Sequence, residues 1–227
     1  GVRVSVAPSI QLMTGYILLE QEDWFEDEMD FIRALITPEM NVFDIGANHG
    51  VIGLTVANQL QSGHVWAFEP TIAPGAMLAR SIADNGFGDR MTWIHAGLSD
   101  SDGSAEISIS GNSETNSLYG TGTQKETIAL YGLDAFIARE NIEAQNDLFK
   151  LYAEGEEINI IARGHAFFTD QSQRSATASS ATRPALARSC PMIPLLPTAS
   201  CSTCLPASLT RPKPWPVAAC LCRRARR

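Results

Sequence analysis

Apolar positions recur at two different spacings along the first 170 residues, and the changes between them mark out the elements. "WFEDEMDFIRALIT" (24–37) carries Phe25, Met29, Ile32 and Leu35 or Ile36 three and four residues apart. That spacing predicts an amphipathic helix with an acidic outer face, stopped by Pro38. "NVFDIGA" (41–47) is almost unbroken in its apolar character and reads as a buried strand. "NHGVIGLTVANQLQ" (48–61) returns to helical spacing and is ended by Gly63. "HVWAFEP" (64–70) predicts a second buried strand, "APGAMLARSIADNGFG" (73–88) a helix, and "MTWIHAGLSD" (91–100) a third strand. Three strands separated by helices predict a parallel sheet covered on both faces. Right-handed crossovers place strand two beside strand one, with strand three beyond it. The expected fold class is α/β, a doubly wound, mostly parallel sheet.

In "SDGSAEISIS", Ala105, Ile107 and Ile109 alternate with polar residues behind an Asp102-Gly103 turn, the pattern of an edge strand. A polar loop follows over 111–126. Residues 127–142 run from strand to helix, and 146–168 give one more buried strand, an acidic turn and an apolar helix. There the pattern ends.

Charge divides the chain at the same place. All 25 acidic residues and 8 of the 17 basic ones lie in 1–170, a net charge of −17. Residues 171–227 hold 9 basic residues, no acid, 8 of the 12 prolines and all five cysteines. The tail keeps no sustained period of 3.6 or 2, and its prolines forbid a long helix or a central strand. Three readings of it stand: a basic arm ending in "RRARR", a zinc site from Cys201, Cys204, Cys220 and Cys222, and an out-of-frame translation of a GC-rich gene. Loss of every acid together with a rise in Arg, Pro, Ala, Ser and Cys is what the last of these produces. We therefore place the ordered domain at 1–168, expect 169–227 to be disordered, and assign the tail no function. A chain that starts at Gly1 rather than Met is expected to be a processed product or a fragment. No stretch reaches the roughly 18 apolar residues of a membrane span, and no basic-then-apolar leader opens the chain. The expectation is a cytoplasmic protein with no nucleic-acid partner. No oligomeric state can be read from the residues.

Candidate chemistry concentrates in "VFDIGANHGV" (42–51). In an open parallel sheet, ligands bind beyond the carboxyl ends of the strands where the strand order reverses. Gly46 lets the backbone turn sharply, and Gly50 lets a helix or ligand approach. The next helix aims its first amides at the same place. Asp44 stands where an amino group could be met. Glu69, 23 residues after Gly46 and at the end of the second strand, suits the two hydroxyls of a ribose. A dinucleotide would want G-x-G-x-x-G for its pyrophosphate, but Asn48 stands where the second glycine should be. S-adenosylmethionine has no phosphate and fits the turn Gly46-Ala47-Asn48-His49-Gly50 better. The bland alternative is that Asp44 and Glu69 only cap helices.

"VFDIGANHGVIGLTVA", "VWAFEP", "HAGLSDSDGSAEISIS", "NSETNSL" and "DLFKLYAEGEE" together resemble the FkbM family of S-adenosylmethionine-dependent methyltransferases, over roughly residues 15–168. The resemblance implies a class I methyltransferase fold and methyl transfer to oxygen, often on sugars, glycolipids or secondary metabolites. It implies that Asp44, Gly46, Asn48 and Gly50, with Ala47 among them, hold the methionine end. It gives Glu69, with Pro70 behind it, the ribose, and the Gly97-Leu98-Ser99 stretch the adenine.

Two departures qualify it. The family segment usually reads Lys-Ile-Asp-Val-Glu-Gly, whereas this chain has Lys150-Leu151-Tyr152-Ala153-Glu154-Gly155. Tyr152 replaces an aspartate that could position or deprotonate the acceptor, and a phenol with an ordinary pKa of about 10 is a poor base. Glu154 remains as a second catalytic candidate, or as part of a solvated acidic turn. The strands that should complete the sheet are also missing, so the fourth parallel strand is expected to end as a bare edge. His49, His64, His95 and His165 show no metal-ligand spacing; His49, in the turn, is a candidate contact. Ser113 to Ser117 could serve an acceptor loop. The leading expectation is methyl transfer to a small-molecule or glycan hydroxyl, driven mainly by positioning. An inactive remnant and an NAD(P)-binding oxidoreductase are the alternatives.

Overall fold

A computed structural model of the chain describes residues 1–9, 12–24, 27–110, 116, 118, 120, 124–143, 147–153, 155–164 and 219–223. Helices α1 (Met13–Gln21) and α2 (Asp27–Leu35) precede strand β1 (Asn41–Ile45). Helix α3 (Val51–Ala57), strand β2 (His64–Phe68), helix α4 (Ile72–Asn85) and strand β3 (Met91–Ile94) follow. Then come β4 (Gly97–Ser99), β5 (Gly103–Ile109), β6 (Gln124–Gly132), α5 (Leu133–Arg139), β7 (Asp147–Leu151), α6 (Glu157–Arg163) and β8 (Ala219–Arg223).

The main sheet runs in the order β3-β2-β1-β7-β8. β1 lies between β2 and β7, parallel to both, so the order reverses beside β1 as expected. Side chains alternate across β1, and the two faces carry separate cores. Val42 joins Leu54 of α3, Leu78 and Ile82 of α4, and Ile32 of α2 on one face. Phe43 and Ile45 join Leu133 and Phe136 of α5 and Ile160 of α6 on the other. The Phe43 and Phe149 rings stack 4.4 Å apart across the β1–β7 ladder, clamping those strands together. This is the doubly wound α/β arrangement that the pattern predicted.

Three features depart from the sequence reading. The stretch 91–100 is two strands rather than one. The Ala96 amide turns back to the Ile94 carbonyl at 2.8 Å, which ends the pairing with β2 and sends β4 to a second sheet, order β4-β6-β5. The expectation of a bare edge beside β7 is also corrected: residues 219–223 of the tail form β8, antiparallel to β7. Period and composition could not show this, because a ladder is made by backbone groups that any extended segment supplies. Third, α1 was not foreseen, since "MTGYILLEQ" carries apolar residues without a helical stripe.

Candidate functional site

The carboxyl ends of β1, β2 and β7 meet along one edge, and the 46–50 turn lies across it. Amides of Gly46 and Ala47 both donate to the Phe68 carbonyl, at 3.0 and 2.9 Å, tying the turn to the end of β2. The backbone is left-handed at Gly46, Asn48 and Gly50, with φ of 73°, 50° and 79°. Asn is the side-chain-bearing residue that most readily adopts this conformation, which is how the turn dispenses with a middle glycine. Gly46 is required twice over: besides its φ, an added Cβ would sit 1.8 Å from the Tyr152 carbonyl oxygen. At Gly50 an added Cβ would meet Leu78 Cδ1 at 2.3 Å, so that glycine brings α3 against α4.

Asp44 and Glu69 are both buried, at 0% and 6% exposure, so each must find internal partners. Asp44 shares the face of β1 that looks onto α3. Its Oδ2 accepts from the Gly53 amide at 3.0 Å, inside the first turn of that helix. Its Oδ1 lies 2.9 Å from the ammonium of Lys150, its register neighbour on β7. The chain itself thus supplies a cation opposite Asp44. Lys150 also donates to the Gly46 carbonyl at 2.8 Å.

Glu69 has neutral donors. Oε2 accepts from the Asn48 amide at 2.9 Å, and Oε1 from the Thr71 amide at 2.9 Å and from the Thr71 hydroxyl. Burial pushes its carboxyl above the ordinary carboxylate range, against the opposing pull of those hydrogen bonds and the Lys150 charge. Of about four acceptor positions on a carboxylate, three are filled by the described residues, which leaves one on Oε2. Both oxygens of Glu69, which the sequence reading offered to a ribose, thus already carry internal hydrogen bonds. Trp93 Nε1 donates to the Glu69 carbonyl at 2.9 Å and fixes the strand end from the β3 side.

The other candidates fall as follows. Tyr152 donates its amide to the Ile45 carbonyl at 3.0 Å, holding the end of β7 to β1. Glu154 lies outside the described residues. So do Ser113 to Ser117 apart from Asn116, whose Oδ1 accepts from the Ser110 amide at 2.9 Å. Leu98 is buried in the second core, and the Ser99 hydroxyl donates to Glu156 at 2.9 Å. Pro70 packs close to Gly97, where an added Cβ would stand 3.9 Å from the Pro70 Cβ. Glu157 closes the acidic turn by accepting from the amides of Ala153 and Gly155, at 2.8 and 3.1 Å. The bland reading of the acids as caps thus has a share of truth at Asp44, which bonds the first turn of α3, and at Glu69, which bonds the residue opening α4. His49 is buried and lines a cleft of about 190 Å³ with Thr71, Pro74, Met77, Ile109 and Glu126. Among the described residues, no three His, Cys, Asp or Glu side chains group as metal ligands do, and no helix is long and apolar enough to cross a membrane.

Lys150 and Thr71 are the residues that sequence reasoning passed over. A lysine inside the buried strand "DLFKL" was the available signal, because an ammonium in such a place needs a carboxylate.

Comparison with solved structures finds likenesses at low identity. A Clostridium thermocellum protein described as an rRNA methylase is 12% identical, with a TM-score of 0.34, covering 65% of this chain and 82% of that one. TYW2 of P. horikoshii in complex with MeSAdo is 14% identical at a TM-score of 0.32, covering 66% and 55%. A precorrin-6y C5,15-methyltransferase of Geobacter metallireducens is 10% identical at 0.32, covering 63% and 75%. The chain thus spans little more than half the length of TYW2. No curated protein matches. The methyltransferase FkbM domain profile matches residues 44–179, starting at the buried aspartate of β1 and running past the point where the acidic residues cease. That is more than half of the 227 residues, and the chain belongs to the FkbM methyltransferase family.

Proposed function

We propose that the chain binds S-adenosylmethionine along the carboxyl edge of β1 and β2 and transfers its methyl group to the hydroxyl of a sugar, glycolipid or secondary metabolite. The observation that carries this is Glu69: a buried carboxylate, held by Asn48 and Thr71, with one acceptor position left beside a turn of the required shape. The donor set suits the ligand. The turn offers no glycine-lined cradle for a pyrophosphate, and the first-turn amide of Gly53 is already engaged by Asp44. A neutral or cationic amino-acid end is therefore a better fit than a phosphate, and this weighs against a nicotinamide dinucleotide.

In this reading Gly46, Ala47, Asn48 and Gly50 hold the methionine end, with Asp44 supporting them from below. Glu69 takes one ribose hydroxyl. The adenine lies towards Pro70 and the main chain of Gly97 to Ser99. When bound, S-adenosylmethionine supplies a methyl group activated by its sulfonium. Tyr152, at the end of β7, is assigned to the acceptor's position, and Glu154 is assigned by the family pattern as the group able to take the acceptor's proton. Most of the acceleration comes from holding acceptor and donor together, since effective molarities of about 10⁵ M or more are available from positioning alone.

Calorimetry of the full chain with S-adenosylmethionine and, separately, with NADH tests the reading. Micromolar binding of the first and none of the second is expected; the reverse would sink it. Transfer of a labelled methyl group to a panel of sugar, lipid and alicyclic alcohols then identifies the acceptor class.

A further inference from the structure

Beneath the 46–50 turn lies an ion pair whose stability value does not explain its presence. The Lys150 and Asp44 side chains are 12% and 1% exposed, with Nζ and Oδ1 2.9 Å apart. The same ammonium donates to the Gly46 carbonyl at 2.8 Å and reaches the Ile45 carbonyl at 3.4 Å. The Tyr152 ring centre is 5.7 Å from it. One cation thus touches the strand that enters the turn, the turn itself and the segment facing it. A buried ion pair is commonly no more stabilising than a well-packed apolar pair. Its fixed charges do act on any charged ligand nearby, the more so where water is excluded.

A methyl donor changes charge when it reacts: the sulfonium is a cation, and the thioether that remains is not. An unpaired ammonium under the turn would disfavour the donor relative to the product. An unpaired carboxylate would favour the donor and slow its exchange. Paired, the two cancel. We propose that Lys150 and Asp44 form a charge-balanced clamp that holds the turn in shape and sets the preference of the site for sulfonium donor over thioether product. The inference rests on the donor reading above. Lys150 acts here as a positioning residue, because it touches the turn rather than the ligand.

The test is the ratio of two affinities, for S-adenosylmethionine and S-adenosylhomocysteine, measured by calorimetry on the full chain. Asp44→Asn leaves the ammonium alone, and the donor-to-product affinity ratio is expected to fall about tenfold. Lys150→Met leaves the carboxylate alone, and the ratio is expected to rise by a similar factor. Lys150→Arg keeps the charge, so both affinities fall together and the ratio holds. The double variant Asp44→Asn/Lys150→Met, with both charges removed, returns the ratio to that of the wild type. A purely structural pair would lower both affinities in every variant without moving the ratio, and that result overturns the inference. Should one single variant not fold, the other decides: a ratio that moves in its stated direction supports the inference, and a ratio that stays at the wild-type value overturns it. A wild-type chain that binds neither ligand instead removes the donor reading itself, which separates the two failures.

Discussion

The ends of β1 and β2 lie side by side, and each terminates near a buried carboxylate, but the two are satisfied in different ways. At the end of β1, Asp44 faces a cation and a helix amide, and its charge is cancelled inside the protein. At the end of β2, Glu69 faces two amides and a hydroxyl, none of them charged, and its carboxyl is pushed upward by burial. The first end is closed and serves the shape of the turn. The second has neutral hydrogen-bond donors and, among the described residues, one acceptor position left, which is what the proposed ribose contact draws on. Two acids at neighbouring strand ends are thus satisfied differently, one by a cation of β7 and one by neutral donors of the 46–50 turn and of the residue before α4.

Substitutions can break this contrast. The largest effect is expected from Gly46→Ala, which forces a left-handed alanine and drives a Cβ into the Tyr152 carbonyl. Chemical denaturation should show a loss of about 4 kcal/mol or more, with no donor binding left. Next, Lys150→Met strands the Asp44 carboxylate in the interior and should cost about 3 kcal/mol of stability by the same measurement. If that variant is as stable as the wild type, the closed character of the β1 end is refuted.

Glu69→Gln should do the opposite: stability at neutral pH stays within about 1 kcal/mol, because a buried charge is lost along with its hydrogen bonds, while donor affinity falls about tenfold. The pH dependence follows from the sign of its shift. A carboxyl raised in the folded state favours folding fully below its unfolded value of 4.5, and that contribution is lost as the pH climbs through the raised value. Denaturation midpoints should therefore move in the variant's favour as the pH rises above about 4.5.

The smallest expected effect is at His64, on the far end of β2. Burial lowers its pKa, against the pull of Asp89, so the folded state prefers the neutral ring. Its contribution is present above about 6.5 and is lost as the pH falls through the lowered value. His64→Gln should remove that acid sensitivity, a change of about 1 kcal/mol or less in denaturation between pH 7 and 5.

Much of the main sheet was legible before any coordinates. The strands around Phe43, Val65 and Phe149 are short apolar runs between helical stretches, and that alternation dictates both the parallel order and the side on which the turn falls. The positions of the turn and of Glu69 at neighbouring strand ends were legible because one apolar run breaks off at a glycine and the other at Glu69-Pro70. What escaped was pairing at long range. Asp44 and Lys150 are brought together by the β1–β7 register, and no local pattern announces a register. The break at Ala96 escaped because both halves of 91–99 have strand character; only the sheet each half joins distinguishes them. The single open position on Glu69 escaped because Thr71 and Asn48 could be counted as its donors only once their amides were placed.

The pairing of β8 with β7 has a further consequence for how the sheet tolerates change. The contact is an antiparallel ladder from Asp147↔Arg223 to Leu151↔Ala219, and its β8 side lies beyond the residues that match the family. Amide and carbonyl groups recognise one another without reference to side chains, so a border strand can be supplied by a segment whose sequence carries no strand pattern. Truncation before residue 219 would expose the flank of β7 to any other extended peptide, including the same strand from another copy. Cover for that flank would then rest on a segment of five residues.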